Sequence, residues 1–140
     1  MRRNPTRWRN IESRLGREMT MWLATVRAAG RPHLVPLWFI WLENKVYVAT
    51  GTHTQKFLNL RTNQNVSLSL PATDNVLMIE GEAHLVTDYK VEEAIADYFF
   101  NKYEWDFRYD ESAKWKLVEI TPFKMLVWGD GFDREGTRVL

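Results

Sequence analysis

Residues 45–61, with the sequence KVYVATGTHTQKFLNLR, place a strand, a short polar loop and a helix in direct succession. Side chains of alternating character run over Lys45–Thr50, the pattern of a half-buried strand. Four loop residues, 51–54, come next, and apolar side chains then recur at helical spacing up to a stop at Asn63. The rest of the fold is predicted outward from this strand–loop–helix unit.

The loop carries the residue types of an anion-binding site. Gly51 allows a tight turn, Thr50, Thr52 and Thr54 offer hydroxyl groups, and Lys56 falls in the first turn of the helix. A helix N-terminus presents unpaired N–H groups and a partial positive charge, so a lysine is disfavoured there unless an anion lies between them. The alternative is an ordinary N-cap at Thr54 with a solvated Lys56, and spacing alone does not separate the two.

Upstream of the loop the pattern predicts an antiparallel meander of three strands. Met21–Arg27 and Arg31–Leu42 are rich in β-branched and aromatic residues, and Ala29-Gly30 between them predicts a hairpin turn. Glu43-Asn44 predicts the turn into the strand Lys45–Thr50.

Downstream, four further strands are predicted. They are Val66–Leu70, Val76–Val86, Lys116–Ile120 and Lys124–Trp128. Gly81 predicts a bulge or bend in the second of these, and Pro122 predicts an interruption between the last two.

Two further helices are predicted outside residues 45–61. One spans about Asn10–Glu18, and the other begins after an N-cap at Asp88 and ends near Lys102. The predicted inner face of the second consists of Val91, Ala94, Ile95, Tyr98 and Phe99. Six or seven mostly antiparallel strands with three helices predict a mainly β fold of the α+β class, a closed barrel whose openings the helices cover.

Composition narrows the class of protein. The 140 residues are 45% hydrophobic with a net charge of +1, which predicts one folded domain over residues 1–140. No apolar tract is long enough to cross a membrane and no signal core follows the N-terminus, so we expect a soluble cytoplasmic protein without a membrane partner. The lack of cysteine excludes disulfides, a thiolate zinc site and a cysteine nucleophile.

Charge and histidine placement argue against nucleic-acid and metal sites. Residues 1–31 hold eight arginines against two glutamates, but the arginines are spread around a helix, so we predict solvation or pairing with acidic residues rather than nucleic-acid binding. His33, His53 and His84 are not at metal-ligand spacing, which predicts no metal. Of the three, His53 lies in the loop as a candidate hydrogen-bond donor.

Several blocks of this sequence occur in an order and spacing typical of one family. The blocks are Ala24–Val26, Gly30–Phe39, Val46–Thr50, Lys56–Arg61, Val66–Leu68, Gly81–Ala83, Lys102-Tyr103 and Ile120–Pro122, followed by Trp128. In these the chain resembles the pyridoxamine 5'-phosphate oxidase-like superfamily, and within it the branch of small flavin- and deazaflavin-dependent oxidoreductases. The resemblance covers nearly the whole chain.

The resemblance implies a split β-barrel with flanking helices that forms a homodimer, with two cofactor sites built across the interface. It implies FMN, or alternatively the deazaflavin coenzyme, as cofactor, and hydride transfer to or from a small molecule. The implied phosphate-binding segment is Thr50, Thr54, Gln55 and Lys56, with Thr52 and His53 in the loop between. The strand implied to run beside the cofactor ring holds Val35, Pro36, Leu37 and Trp38, and Trp128 is implied to approach from the partner subunit.

Two departures from the family pattern bear on the substrate. Gln55 stands where pyridoxamine phosphate oxidases carry an arginine before the lysine, which removes one cation from the phosphate site. Their Arg-Leu-His near the C-terminus is also missing, because Gly129–Asp133 follows Trp128. We therefore expect that the chain is not a true pyridoxamine phosphate oxidase.

The sequence thus predicts a homodimeric oxidoreductase with no catalytic side chain that can be named, because the cofactor carries the electron chemistry. Tyr103 and Trp41 are conceivable pocket residues, although packing is the favoured role for each. The alternative is a protein that binds, stores or senses a flavin or haem without turnover. The substrate, the electron donor and the choice between FMN and the deazaflavin stay open.

Overall fold

The computed structural model describes residues 4–129 and 137–140. Three helices and eight strands follow one another along the chain. In order they are α1 (Pro5–Arg17), β1 (Met21–Val26), β2 (Pro32–Leu37), β3 (Ile40–Leu42), β4 (Lys45–Gly51), α2 (Gln55–Thr62), β5 (Asn65–Ser69), β6 (Asn75–Leu85), α3 (Tyr89–Tyr103), β7 (Trp115–Gly129) and β8 (Thr137–Arg138).

The strands form one antiparallel sheet in the order β2-β1-β5-β6-β7-β4-β3, with β8 paired to β7. The sheet is a curled half-barrel with three helices, as the split-barrel prediction requires. A barrel closed by its own hydrogen bonds is wrong, because β2 and β3 are the two outer strands of this order and do not pair. The predicted meander is wrong for the same reason, since β3 and β4 lie at the opposite side of the sheet from β1 and β2.

The predicted strand Arg31–Leu42 is two strands, β2 and β3, separated by Trp38 and Phe39. The Phe39 N–H donates to the Tyr103 hydroxyl at 3.0 Å, and that hydroxyl is 2.8 Å from the Phe39 carbonyl oxygen. A side chain of α3 thus takes the backbone hydrogen bonds that a continuing strand would make. The flanking turns agree with prediction, with positive φ at Gly30, Glu43 and Asn44.

Strand β7 is continuous where two strands interrupted at Pro122 are predicted. The register of β6 against β7 shifts between Glu80 and Gly81, which confirms the predicted bulge. The shift places Gly81 opposite Pro122 and leaves one extra residue, Phe123, on β7, so a proline without an N–H fits inside the pair. A Cβ on Gly81 would lie 2.7 Å from the Thr121 carbonyl oxygen, so this close approach requires glycine.

Two helices differ in detail from their predictions. Helix α1 begins at Pro5 rather than near Asn10, because the Asn4 side chain caps it and proline suits its first turn. In α3 the Asp88 cap is confirmed, but the buried residues are Ile95, Ala96 and Phe99. The predicted inner-face residues Ala94 and Tyr98 are exposed, since apolar side chains surround this helix and blur its periodicity.

The core has two clusters, and β4 separates them. Val46 and Val48 belong to the larger cluster, which lies under α1, whereas Tyr47 belongs to the smaller cluster under α3. Both faces of β4 are therefore covered, which fixes the position of the loop that follows it. In the part of the chain described, no helix is long and apolar enough to cross a membrane.

Candidate functional site

The loop after β4 is held by its own hydrogen bonds. Thr54 caps α2, since its Oγ1 accepts from the Phe57 N–H at 3.3 Å and donates to the Gly51 carbonyl at 2.8 Å. The Thr50 hydroxyl lies 3.2 Å from the same Oγ1, and the Thr52 N–H donates to the Lys114 carbonyl at 2.9 Å. The capping role of Thr54 is confirmed, and its hydroxyl hydrogen is committed to the protein backbone.

Gly51 is predicted to allow a tight turn, but the structure uses it for close packing instead. Its φ is not positive, so the turn does not depend on the backbone freedom of glycine. A Cβ at Gly51 would instead come within 2.8 Å of the His53 ring. The exposed His53 thus folds back over the residue that begins the loop.

Lys56 is half-buried and contributes to a cleft of about 390 Å³. Burial lowers its pKa below the ordinary value of 10.5, because desolvation penalises the ammonium. Within residues 4–129 and 137–140, no carboxylate forms an ion pair with it. A cation that is partly desolvated and has no anionic partner is poised to receive an anion from outside the chain.

Aromatic rings belong to four of the eight described residues that line the cleft. Besides Lys56, the residues described there are Leu37, Trp38, Ala49, Phe99, Trp105, Asp110 and Trp115. The Trp105 ring meets Trp38 edge-on at 5.8 Å between centroids and Trp115 at 4.9 Å. Such a wall suits a flat ligand.

Trp38 is held in place from α3. Its ring stacks on Tyr103 with centroids 4.6 Å apart and 9° between the planes. Burial raises the pKa of Tyr103 to about 12, so its hydroxyl stays protonated and can donate to the Phe39 carbonyl. The neighbouring Lys102 also donates to that carbonyl, at 3.2 Å, and burial lowers the pKa of Lys102 to about 8. Tyr103 therefore supports the cleft wall by packing.

Asp110 places a fixed negative charge in the cleft. Hydrogen bonds from Ser112 and from the Trp105 indole, at 2.9 and 2.8 Å, lower the pKa of Asp110 to about 2. The indole N–H of Trp115 also favours the ionised carboxyl, but it is buried and makes no hydrogen bond of acceptable geometry. Asp110 is therefore ionised at neutral pH.

The structure brings three of the sequence-predicted site residues together in the cleft: Leu37, Trp38 and Lys56. The others lie outside its lining. Val35 and Pro36 lie further back on β2, Thr50, Thr52, His53 and Thr54 form the loop, and Gln55 bonds to Asn59. Trp128 lies on β7 opposite Val76, and its approach to a partner's site stays a prediction.

Sequence reasoning missed Trp105, Asp110 and Trp115. They lie in or beside the irregular stretch 103–113, where no periodicity assigns a face. The concentration of indoles in a small chain was the available signal, since seven tryptophans exceed what a core of this size needs.

The histidines lie on separate elements. His33 is on β2 with its Nδ1 buried and unpartnered, and His84 is on β6, 3.4 Å from Glu82. Among the residues described, no group of three or more potential ligands could hold a metal ion.

The structure is thus an antiparallel half-barrel with three helices, and it places a lysine at a helix start beside an aromatic cleft. A family model described as pyridoxamine 5'-phosphate oxidase matches residues 8–129. The chain belongs to this family. Among curated proteins, none matches the chain.

Three solved structures illustrate the likeness. General Stress Protein 26 from Bacillus anthracis has a TM-score of 0.69 at 22% identity, over 94% of this chain and 98% of that one. An F420 reductase has a TM-score of 0.67 at 24% identity, over 81% of this chain and 94% of that one. HutZ, the heme storage protein from Vibrio cholerae, has a TM-score of 0.68 at 21% identity, over 96% of this chain and 99% of that one. Identities this low establish a shared fold alone.

Proposed function

We propose that the chain is an oxidoreductase that binds a flavin-type cofactor, FMN or a deazaflavin such as F420, and transfers a hydride to or from a small molecule. The observation that carries the proposal is Lys56. It is a half-buried cation with no carboxylate partner in the described chain, and it lies at the start of α2 in a cleft walled by indoles.

The residues present fit such a group. Lys56 and the free N–H groups at the start of α2 offer a positive site for a phosphate. Trp38 and Leu37 offer a flat apolar surface for a ring system. We assign the phosphate end to Thr50, Thr52, His53, Thr54, Gln55 and Lys56, and the ring to Val35, Pro36, Leu37 and Trp38.

The bound cofactor supplies the hydride chemistry, and the chain supplies the surroundings. Lys56 binds the anionic end, Trp38 orients the flat end, and the indole wall excludes water from the space between. Tyr103 supports Trp38 in two ways: its ring stacks on the indole, and its hydroxyl accepts from the N–H of Phe39, the residue after Trp38. Fixed orientation and water exclusion favour hydride transfer without a protein acid or base.

A homodimer completes the proposed site. Strand β2 has one unpaired side, and the exposed residues on and next to it include Leu34 and Trp38, 60% and 46% exposed. Trp22 on the neighbouring strand is 39% exposed. Exposed edges and large apolar side chains are normally covered, and a second copy of the chain would cover both. Trp128 of that copy is the proposed aromatic contribution.

Haem storage is a second candidate, and one observation favours it. His33 on the outer strand β2 is half-buried, and its Nδ1 has no hydrogen-bond partner among the described residues. Haem iron is commonly held by an imidazole, and because Nδ1 is buried, the Nε2 of His33 would be the nitrogen to hold it. HutZ shares this fold and stores heme. The Lys56 cleft contains no histidine among its described residues, so haem would occupy a different surface.

The absorption spectrum of the purified protein separates the two candidates. A flavin or deazaflavin band that a reductant bleaches and an oxidised acceptor restores supports the oxidoreductase. A Soret band that is lost in His33→Ala and retained in Lys56→Ala supports haem storage. If the purified protein binds none of FMN, F420 and haem at micromolar concentration, both candidates are refuted.

A further inference from the structure

The charges that line the Lys56 cleft sum to zero. Among the described residues of the lining, Lys56 is the only cation and Asp110 the only anion. Asp110 stays ionised at neutral pH because Ser112 and Trp105 donate to it. A ligand with one negative charge is therefore matched by Lys56, whereas a second negative charge meets no second cation and meets the carboxylate of Asp110.

A side-chain network holds the exposed Gln55 against its own helix. The Gln55 Nε2 donates to the Asn59 Oδ1 at 2.7 Å, and the Asn59 Nδ2 donates to the Thr25 Oγ1 at 2.9 Å. Asn59 and Thr25 are each only 1% exposed, so the network is anchored between α2 and β1. The carboxamide of Gln55 thus lies along the surface of α2 instead of lining the cleft.

Position 55 is the place where a second cation could be added. It directly precedes Lys56 in the first turn of α2, where the helix dipole already attracts anions. Because glutamine is neutral, it offers no partner to a second negative charge on the anionic end of a ligand. Burial of an unpaired charge is costly, so a doubly charged ligand should bind with lower affinity.

We infer that this cleft prefers ligands whose phosphate carries one negative charge, as a phosphodiester does, over phosphate monoesters, and that Gln55, held by Asn59, is the specificity-determining residue. The inference rests on the proposed function. A phosphate monoester carries about −1.5 to −2 charges at pH 7, whereas a diester carries one. Between the two proposed cofactors, the deazaflavin coenzyme has the diester.

Three ligands with one ring system isolate the effect of the phosphate. They are riboflavin, FMN and the methyl ester of FMN, which is a phosphodiester. Dissociation constants are measured by flavin fluorescence on the apo protein, and F420 is titrated in parallel. The parent protein should bind the methyl ester at least as tightly as FMN.

Two variants each make the charge at the cleft one unit more positive, and a third serves as the matched control. Gln55→Arg adds a cation and should tighten FMN binding at least about tenfold, with a smaller gain for the methyl ester and none for riboflavin. Asp110→Asn removes the anion and should also favour FMN over the ester. Gln64→Arg makes the same substitution at an exposed glutamine outside the cleft and should change none of the three.

The outcomes distinguish the inference from the proposed function. A parent protein that binds FMN tenfold more tightly than the methyl ester overturns the inference and leaves the proposed function intact. Equal gains for FMN and riboflavin in Gln55→Arg also overturn it, because the effect is then not on the phosphate. A folded parent protein that binds none of the flavins and no F420 overturns the proposed function, and the inference with it.

Discussion

Replacing Lys56 with alanine tests the proposed site most directly. The ammonium is half-buried and has no carboxylate partner in the described chain, so a bound phosphate would be its principal partner. A charge-assisted hydrogen bond is worth about 1.5 to 3 kcal/mol. Its loss should weaken cofactor binding by about 10- to 150-fold, since about 1.4 kcal/mol corresponds to a factor of ten.

The same substitution should leave the apo protein folded. Burial lowers the pKa of Lys56, so the charged ammonium opposes folding when no anion is bound. Its removal offsets the lost packing of the side-chain stem. We expect the melting temperature of the apo variant to stay within about 4 °C of the parent.

The assay is a titration of apo protein with FMN, F420 and riboflavin, read by fluorescence, beside thermal melts without ligand. Lys90→Ala is the matched control, because Lys90 is the second residue of α3 as Lys56 is of α2, and it is exposed. Riboflavin lacks the phosphate, so its affinity should not change. If Lys56→Ala binds FMN and F420 as tightly as the parent, Lys56 is not the phosphate ligand and the reasoning is wrong.

Four further predictions concern the supporting structure and the function. Tyr103→Phe removes the hydroxyl that bonds the Phe39 backbone and should cost about 1–3 kcal/mol in chemical denaturation, whereas Tyr109→Phe at an exposed ring should cost nothing measurable. Lys102→Met should stabilise the protein at pH 7, because the parent buries a charged ammonium there. Between about pH 8 and 10.5 the folded parent has lost this proton and the unfolded chain has not, so the destabilisation by Lys102, and with it the gain in the variant, should shrink as the pH rises. A gain that stays constant over this range would contradict the prediction. Sedimentation should show a dimer, for which we expect a buried interface above about 2,000 Å² in total. A 16.6 kDa monomer at micromolar concentration would contradict the dimer. Finally, the protein saturated with FMN should not oxidise pyridoxamine 5'-phosphate efficiently, and rapid formation of pyridoxal 5'-phosphate would show otherwise.

Local patterns predicted most of the elements, because turn chemistry and capping act over a few residues. The hairpin at Gly30, the turn at Glu43-Asn44 and the caps at Thr54 and Asp88 all agree with the structure. The failures are non-local. The break between β2 and β3 depends on Tyr103, 64 residues away from Phe39, and no local pattern reports such a contact.

In the candidate site too, the locally encoded part was predicted and the part that depends on distant contacts was not. Lys56 and its loop were found from sequence because a strand end, a cap and a lysine in the first helical turn are adjacent in the chain. The opposite wall was missed because Trp105, Asp110 and Trp115 follow α3 in an irregular segment. Their relation to Lys56 arises only when β7 pairs with β4 and brings the two segments side by side.

The contact between Tyr103 and the Phe39 backbone limits how the cleft can move. Trp38 directly precedes Phe39 in the chain and stacks on the same tyrosine that bonds the Phe39 backbone. Rotation of the indole alone costs only its stacking on Tyr103, about 0.5 to 1.5 kcal/mol. Outward displacement of the backbone at this point, in contrast, has to break the Tyr103 hydrogen bonds or carry the C-terminal turn of α3 with it. Widening of the cleft by backbone movement is consequently coupled to the end of this helix.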